Sequence, residues 1–218
     1  MKLEYRFQDE SAHNKEIEHL VNELSRYNLS KISTLYQYTK IFSKKIKSDQ
    51  KLSSIIDFPY GASDNTMRSQ MIQNAIKNGA NSVEIVLPFH LLSNAMYTSL
   101  KKDIEQTFEI CEKNKVDLSY ILEYRVFNYS VLYRACKLLC RQKINNIYIS
   151  TGYKVDNLYD HLIAIAMIKK NVPDINITCN ANIFTEKHLD ILNAADITAL
   201  SLNSIPSLET ATKFISNL

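Results

Sequence analysis

Eight short β-rich runs alternate with stretches of helical periodicity along this chain, and that alternation limits its architecture more than any other feature. The runs are Leu3 to Phe7, Lys31 to Gln37, Leu52 to Phe58, Ser82 to Leu87, Leu118 to Arg125, Asn146 to Thr151, Ile175 to Ala181 and Ile197 to Leu202. Strands separated by helical crossovers run parallel, because each crossover returns the chain to the same edge. Eight such units close a (β/α)8 barrel of the TIM type. The length of 218 residues sits near the short end of the roughly 200 to over 400 that this barrel uses. No linker, low-complexity tract or shift in composition divides the chain, so residues 1–218 read as a single domain.

The helical segments carry their own punctuation. Between Ser63 and Asn78, Met67, Met71, Ile72, Ala75 and Ile76 recur at helical spacing, Asp64 stands where a cap belongs, and Gly79 supplies a left-handed stop. That stripe predicts a face packed on the barrel wall. The longest apolar run, Leu162 to Ile168, is far below the ~20 residues that span a bilayer, and the N-terminus has no apolar signal segment. A soluble, cytoplasmic chain with no membrane association is expected. Four cysteines form no CxxC pair, and Cys136 and Cys140, one helical turn apart without a nearby histidine, read as buried reduced thiols. The formal charge of +3 is slight. Lys44-Lys45, Lys101-Lys102 and Lys169-Lys170 read as solvated helix faces, not a nucleic-acid footprint, although thirteen tyrosines keep an RNA-stacking alternative open.

Three stretches resemble one enzyme family. They are Ile56-Asp57-Phe58-Pro59-Tyr60-Gly61, the segment Asn78 to Phe89 with Gly79 before its strand, and the passage from Ile121-Leu122-Glu123 to Tyr148-Ile149-Ser150-Thr151-Gly152. In this order and spacing they resemble the deoxyribose-phosphate aldolases, and with the order of elements around them the resemblance covers nearly the whole chain. The family's sixth strand carries a lysine that forms a Schiff base with substrate. Here Tyr148 stands in its place, and a phenol cannot condense with a carbonyl. Glu84 stands where the family has an aspartate. Where the family puts a second lysine on its seventh strand, this chain has Thr178 or Cys179. The lysines on strands, Lys2, Lys31 and Lys51, occur at strand beginnings, the far end of the barrel from the chemistry, and Lys154 lies in a loop.

In this fold, chemistry gathers at the C-terminal ends of the strands. If Glu4 and Arg6 point inward, alternation brings Glu84, Glu123, Arg125, Tyr148 and Ser150 to the same interior. Buried charges need partners, so one reading is a structural network such as Glu4 with Arg125 or Arg6 with Glu84, with Tyr148 bonded to Glu84 or Glu123. The other is a catalytic set of Glu84, Glu123, Tyr148 and Arg125 acting on a small sugar or carbonyl compound. Glu4, Arg6, Ser150, Gly152, Asn180, Asn182, Asn203 and Ser204 are the candidate substrate contacts. Family members hold a substrate phosphate on glycine-rich loops after the last three strands, yet this chain has only Gly61, Gly79 and Gly152. A weaker anion or a neutral polyol is the better fit. His90 with Glu84, Asp57 and Glu123 offers a metal-binding alternative, but the pattern as a whole calls for no metal and no cofactor. Two functions follow: a divergent homologue that binds a small metabolite or a protein partner, itself included as a homodimer, or an active lyase or isomerase that works without the usual lysine.

Overall fold

The computed structural model describes residues 1–47, 50–154, 157–183 and 185–217. Its strands are β1 (Lys2–Phe7), β2 (Lys31–Leu35), β3 (Lys51–Ile56), β4 (Ser82–Val86), β5 (Asp117–Ile121), β6 (Asn146–Tyr148), β7 (Asn176–Asn180) and β8 (Ala199–Leu202). The helices are α1 (Asn14–Leu24), α2 (Thr39–Ser43), α3 (Asn65–Lys77), α4 (Phe89–Ser93), α5 (Tyr97–Asn114), α6 (Tyr129–Arg141), α7 (Leu158–Asn171), α8 (Glu186–Ala194) and α9 (Ile205–Ser216). Every neighbouring strand pair is parallel, and β1 closes on β8 with Glu4 opposite Ser201 and Tyr5 opposite Leu202. The (β/α)8 barrel expected from the alternation is the fold.

Side-chain parity divides each strand between two environments. On β1, Leu3, Tyr5 and Phe7 pack outward into the layer between barrel and helices, while Glu4 and Arg6 point into the barrel and are still buried. Leu35, Ile55, Val86, Ile121 and Tyr148 form a second, inner apolar cluster. The predicted runs overshoot at β5 and β6. Beyond the regular ladder the two chains still exchange backbone bonds, Leu122 N–H to the Tyr148 carbonyl at 2.8 Å and Tyr124 N–H to the Ile149 carbonyl at 3.3 Å.

Helix α3 begins and ends as its sequence indicates. The Asp64 carboxylate accepts a bond from Met67 N–H at 2.8 Å, and Gly79 follows the helix with φ 98°. Replacing Asp64 by alanine is expected to lower stability by about 1 kcal/mol, measured by urea denaturation. The buried face is the expected one at Met71, Ile72, Ala75 and Ile76, and departs from it at Met67. Met67 is 53% exposed, whereas Arg68, Ile72 and Ala75 are buried. The cause is electrostatic: the Arg68 guanidinium reaches Asp103 at 3.4 Å, Asp57 at 3.5 Å and the Val86 carbonyl at 3.1 Å. Two carboxylates make that burial tolerable. Among the described residues no helix is long and apolar enough to cross a membrane, and the four cysteines are free thiols.

Candidate active site

The barrel interior is built around a compact set of charges. Arg6 from β1 pairs with Glu84 from β4, both nearly inaccessible to solvent. Ser33 Oγ on β2 donates to Glu84 Oε1. The Tyr148 hydroxyl lies 2.8 Å from Glu84 Oε1 and also within hydrogen-bond reach of Glu4, so one phenolic proton faces two carboxylates. Lys31 Nζ completes the group, donating to the Tyr148 oxygen at 3.1 Å and lying 3.6 Å from Glu4 and 4.0 Å from Glu84. Two cations thereby balance two anions around one phenol.

The protonation states follow from these contacts. Burial pushes the Glu84 carboxyl upward, but Arg6 above all, then Lys31, Ser33 and Tyr148, outweigh it and hold the group below the usual carboxylate range. Tyr148 moves the other way. Its burial, reinforced by Glu84 and Glu4, lifts the phenol well above its ordinary value, so it keeps its proton. Such a phenol is a poor general acid at neutral pH.

Above this cluster lies a cavity of about 650 Å³ on the β6, β7, β8 and β1 side of the mouth. Arg6, Gln8, Gly152, Tyr153, Lys154, Asn157, His161, Asn180, Asn182, His188, Ser201 and Asn203 are among the residues that line it. Tyr148 is not among them. The Arg6 guanidinium carbon sits 4.3 Å from the centre of the Tyr148 ring, a cation–π contact in which Arg6 serves as floor of the cavity and cover of the phenol. Gly152 turns the chain at the cavity wall with φ 71°, and an added Cβ would stand 3.2 Å from Gln8 Oε1. At the rim, the Tyr153 ring meets Phe58 and Tyr60 edge to face, each at 5.8 Å between centroids.

The residues singled out in the sequence divide into three groups. Glu4, Arg6, Glu84 and Tyr148 meet in the interior, and of the two ion pairs considered, Arg6 with Glu84 is the one formed. Gly152, Asn180, Asn182 and Asn203 line the cavity with Arg6. The remaining four are committed elsewhere. Arg125 does not enter the barrel: the strand ends at Ile121, the alternation stops with it, and the guanidinium lies outside on Asp160 at 3.1 Å and the Tyr124 hydroxyl at 3.0 Å. Glu123 accepts from Thr151 N–H at 3.2 Å and Thr151 Oγ1 at 2.6 Å, which ties the end of β5 to the loop after β6, and it does not reach Tyr148. Ser150 Oγ accepts from Gly152 N–H at 3.1 Å, and Ser204 caps α9 by accepting from Ser207 N–H at 3.4 Å. For the metal alternative, Asp57 is held by Ser63 and Arg68, Glu84 by Arg6 and Glu123 by Thr151. Among the described residues no three His, Cys, Asp or Glu side chains converge as a metal site.

Lys31 is the residue that sequence reasoning misplaced. Its Cα is at the bottom of β2, opposite Glu4, but its side chain climbs the interior to the Tyr148 oxygen. The signal was the pairing itself, since Glu4 beside Tyr148 needs a cation and Lys31 starts the adjacent strand. Ser201, Gln8, His161 and His188 were also missed. Alternation on β8 places Ser201 inward with Ala199, whereas the histidines reach the cavity from helices whose orientation no local pattern gives.

The sequence matches the family described as DeoC/LacD family aldolase over residues 5–131, more than half of the chain. It is 29% identical to a deoxyribose-phosphate aldolase of Mycoplasmopsis pulmonis over 164 residues, 75% of this chain and 73% of that one. A deoxyribose-phosphate aldolase of Clostridium novyi is 24% identical over 204 residues, 93% of this chain and 90% of the relative. Among solved structures, the tetrameric deoxyribose phosphate aldolase from Aeropyrum pernix superposes with a TM-score of 0.81 at 15% identity, covering 100% of this chain and 91% of that chain.

Proposed function

The chain belongs to the DeoC/LacD family of aldolases, and from that premise we propose that it is a divergent member that binds a small, oxygen-rich carbonyl or sugar metabolite at the barrel mouth without Schiff-base chemistry on its sixth strand. The observation that carries this reading is the state of Tyr148. The side chain in the place of the family's lysine is a protonated phenol, fixed by Glu4, Glu84 and Lys31 and covered by Arg6. A substrate carbonyl in the cavity meets Arg6 first. A guanidinium can orient and polarise a carbonyl or carboxylate oxygen but forms no iminium. The catalytic alternative weakens on the same geometry, since Glu123 and Arg125 are bonded to the loop and to α7 and stand apart from Glu84.

The relatives' substrate provides the test. After incubation with deoxyribose 5-phosphate and borohydride, intact-mass spectrometry is expected to return the unmodified protein, and aldehyde release is expected to stay at the buffer rate. A substrate-sized adduct, mapped to Lys154 at the rim or to Lys31, would overturn the reading.

A further inference from the structure

Three buried side chains among those lining the cavity carry polar atoms without a hydrogen-bond partner. They are Arg6 with Nε and Nη1, Ser201 with Oγ and Asn180 with Oδ1, and their exposures are 2%, 3% and 6%. They stand on the adjacent strands β1, β8 and β7, with Ser201 opposite both Glu4 and Asn180 in the ladder. Unsatisfied buried polar atoms lower stability and are few in a folded chain, so four of them on three residues that line one cavity mark a place built for something else. We propose that this floor binds the carboxylate and adjacent hydroxyl of a small α-hydroxy acid of the sugar-acid class. The proposal rests on the reading of the mouth as a ligand site and gives that ligand its chemical class.

The hydrogen-bond inventory selects the class. Arg6 keeps two unpartnered nitrogens, Nε and Nη1, with three N–H groups between them after Nη2 goes to Glu84, and Ser201 adds a hydroxyl, so the floor holds donors for an anionic oxygen pair. Asn180 requires the opposite. Its Nδ2 donates to the Ser150 carbonyl at 2.7 Å, which fixes the amide and leaves Oδ1 as an acceptor without a partner. A ligand that satisfies both carries an acceptor group with a hydroxyl donor beside it. An α-hydroxy carboxylate has that pattern, and a neutral polyol lacks the charge.

Charge and backbone separate carboxylate from phosphate. The charge of Arg6 is already shared with Glu84, and Lys31 is shared between Glu4 and Glu84, so the interior offers no surplus for a dianion. Among the described cavity residues, Lys154 is the other cation and none is acidic, which suits one negative charge. Phosphate cradles use runs of backbone N–H groups that glycine makes accessible. Gly152 is the last glycine in the chain, and the loops after β7 and β8 begin Ala181-Asn182 and Asn203-Ser204. A volume of about 650 Å³ also leaves room for a chain longer than three carbons.

Calorimetric titration of the intact protein tests the assignment with gluconate as a six-carbon α-hydroxy acid, sorbitol as its uncharged counterpart, and deoxyribose 5-phosphate. Gluconate is expected to bind at least tenfold more tightly than either. Removing Arg6 would strand Glu84 and confuse affinity with folding, so the informative variant is Ser201→Ala. It deletes a hydroxyl with no partner, so it should melt at or above the parent temperature while weakening gluconate by roughly tenfold, one hydrogen bond to an ionised group. Equal affinity for sorbitol, tighter binding of deoxyribose 5-phosphate, no binding of gluconate, or an unchanged gluconate affinity in Ser201→Ala would each overturn the proposal. Tight deoxyribose 5-phosphate binding without a borohydride adduct would do so while leaving the mouth a non-covalent ligand site. An adduct would instead remove the reading on which the proposal rests.

Discussion

Replacing Glu84 by glutamine is expected to destabilise the protein by about 3–5 kcal/mol, the cost of breaking a buried ion pair from one side. In a chain of this size that corresponds to a fall in Tm of roughly 10 °C. The sign is the informative part. Glu4 and Glu84 approach the same phenol, and if their repulsion dominated, removing one acid would relieve strain and raise the melting temperature, as often happens at functional sites. The contacts argue otherwise. Glu84 receives Arg6, Ser33 and Tyr148 and lies 4.0 Å from Lys31, and it is fully buried. Without its charge, Arg6 would have no anionic partner while its Nε and Nη1 are already unpartnered, and one net positive charge would remain in the interior. A thermal melt of Glu84→Gln at or above that of the parent would sink the structural account of the cluster.

The same residue sets an acid limit. The folded-state carboxyl lies below its usual value, so the unfolded chain takes up this proton at a higher pH than the folded one. Its stabilisation is therefore complete above the unfolded value of about 4.3 and is lost as pH falls through the lower folded value. The difference in unfolding free energy between parent and Glu84→Gln should persist at pH 7 and shrink at about pH 3. A gap that stays constant across that range would show that hydrogen bonding, not charge, carries the effect.

How much of this was readable beforehand depended on whether a local period governed the residue. The alternation of strand and helix gave eight strands whose starts lie within two residues of those observed, because parity and turn chemistry act over a few positions. Parity also placed Glu4, Arg6, Glu84 and Tyr148 together. It failed at Arg125, where the strand had already ended and alternation no longer applied. The α3 face was misjudged at Met67 alone, for a different reason: apolar periodicity could not anticipate that Asp57 and Asp103 would draw Arg68 inward and turn Met67 to solvent. Lys31 shows a third limit. A strand position fixes the Cα level, and a lysine carries its charge far from there. Arg6 as a floor was illegible as well, since its stacking on Tyr148 joins β1 to β6 across the barrel.

Tyr148→Lys is expected to form no Schiff base with an aldolase substrate, but the obstacle differs from the one the sequence implied. There, Thr178 or Cys179 stood where the family has its second lysine, so the neighbouring cation was missing. The structure supplies that cation: Lys31 Nζ is 3.1 Å from the Tyr148 oxygen, and Arg6 lies over the ring. In Tyr148→Lys, three cations would face Glu4 and Glu84, and in a dry interior the new amine would be driven toward its neutral form. Its unfolded pKa is near 10.4, so holding it neutral at pH 7 costs on the order of 4 kcal/mol, and stability should rise with pH toward 10 as that penalty disappears. A neutral amine alone is not enough, because position 148 does not line the cavity and Arg6 stands between them. Borohydride trapping with deoxyribose 5-phosphate should therefore leave the variant unmodified. Appreciable turnover by Tyr148→Lys alone would mean that Arg6 yields readily, and that the substitution at 148, not the covered floor, is what separates this chain from its relatives.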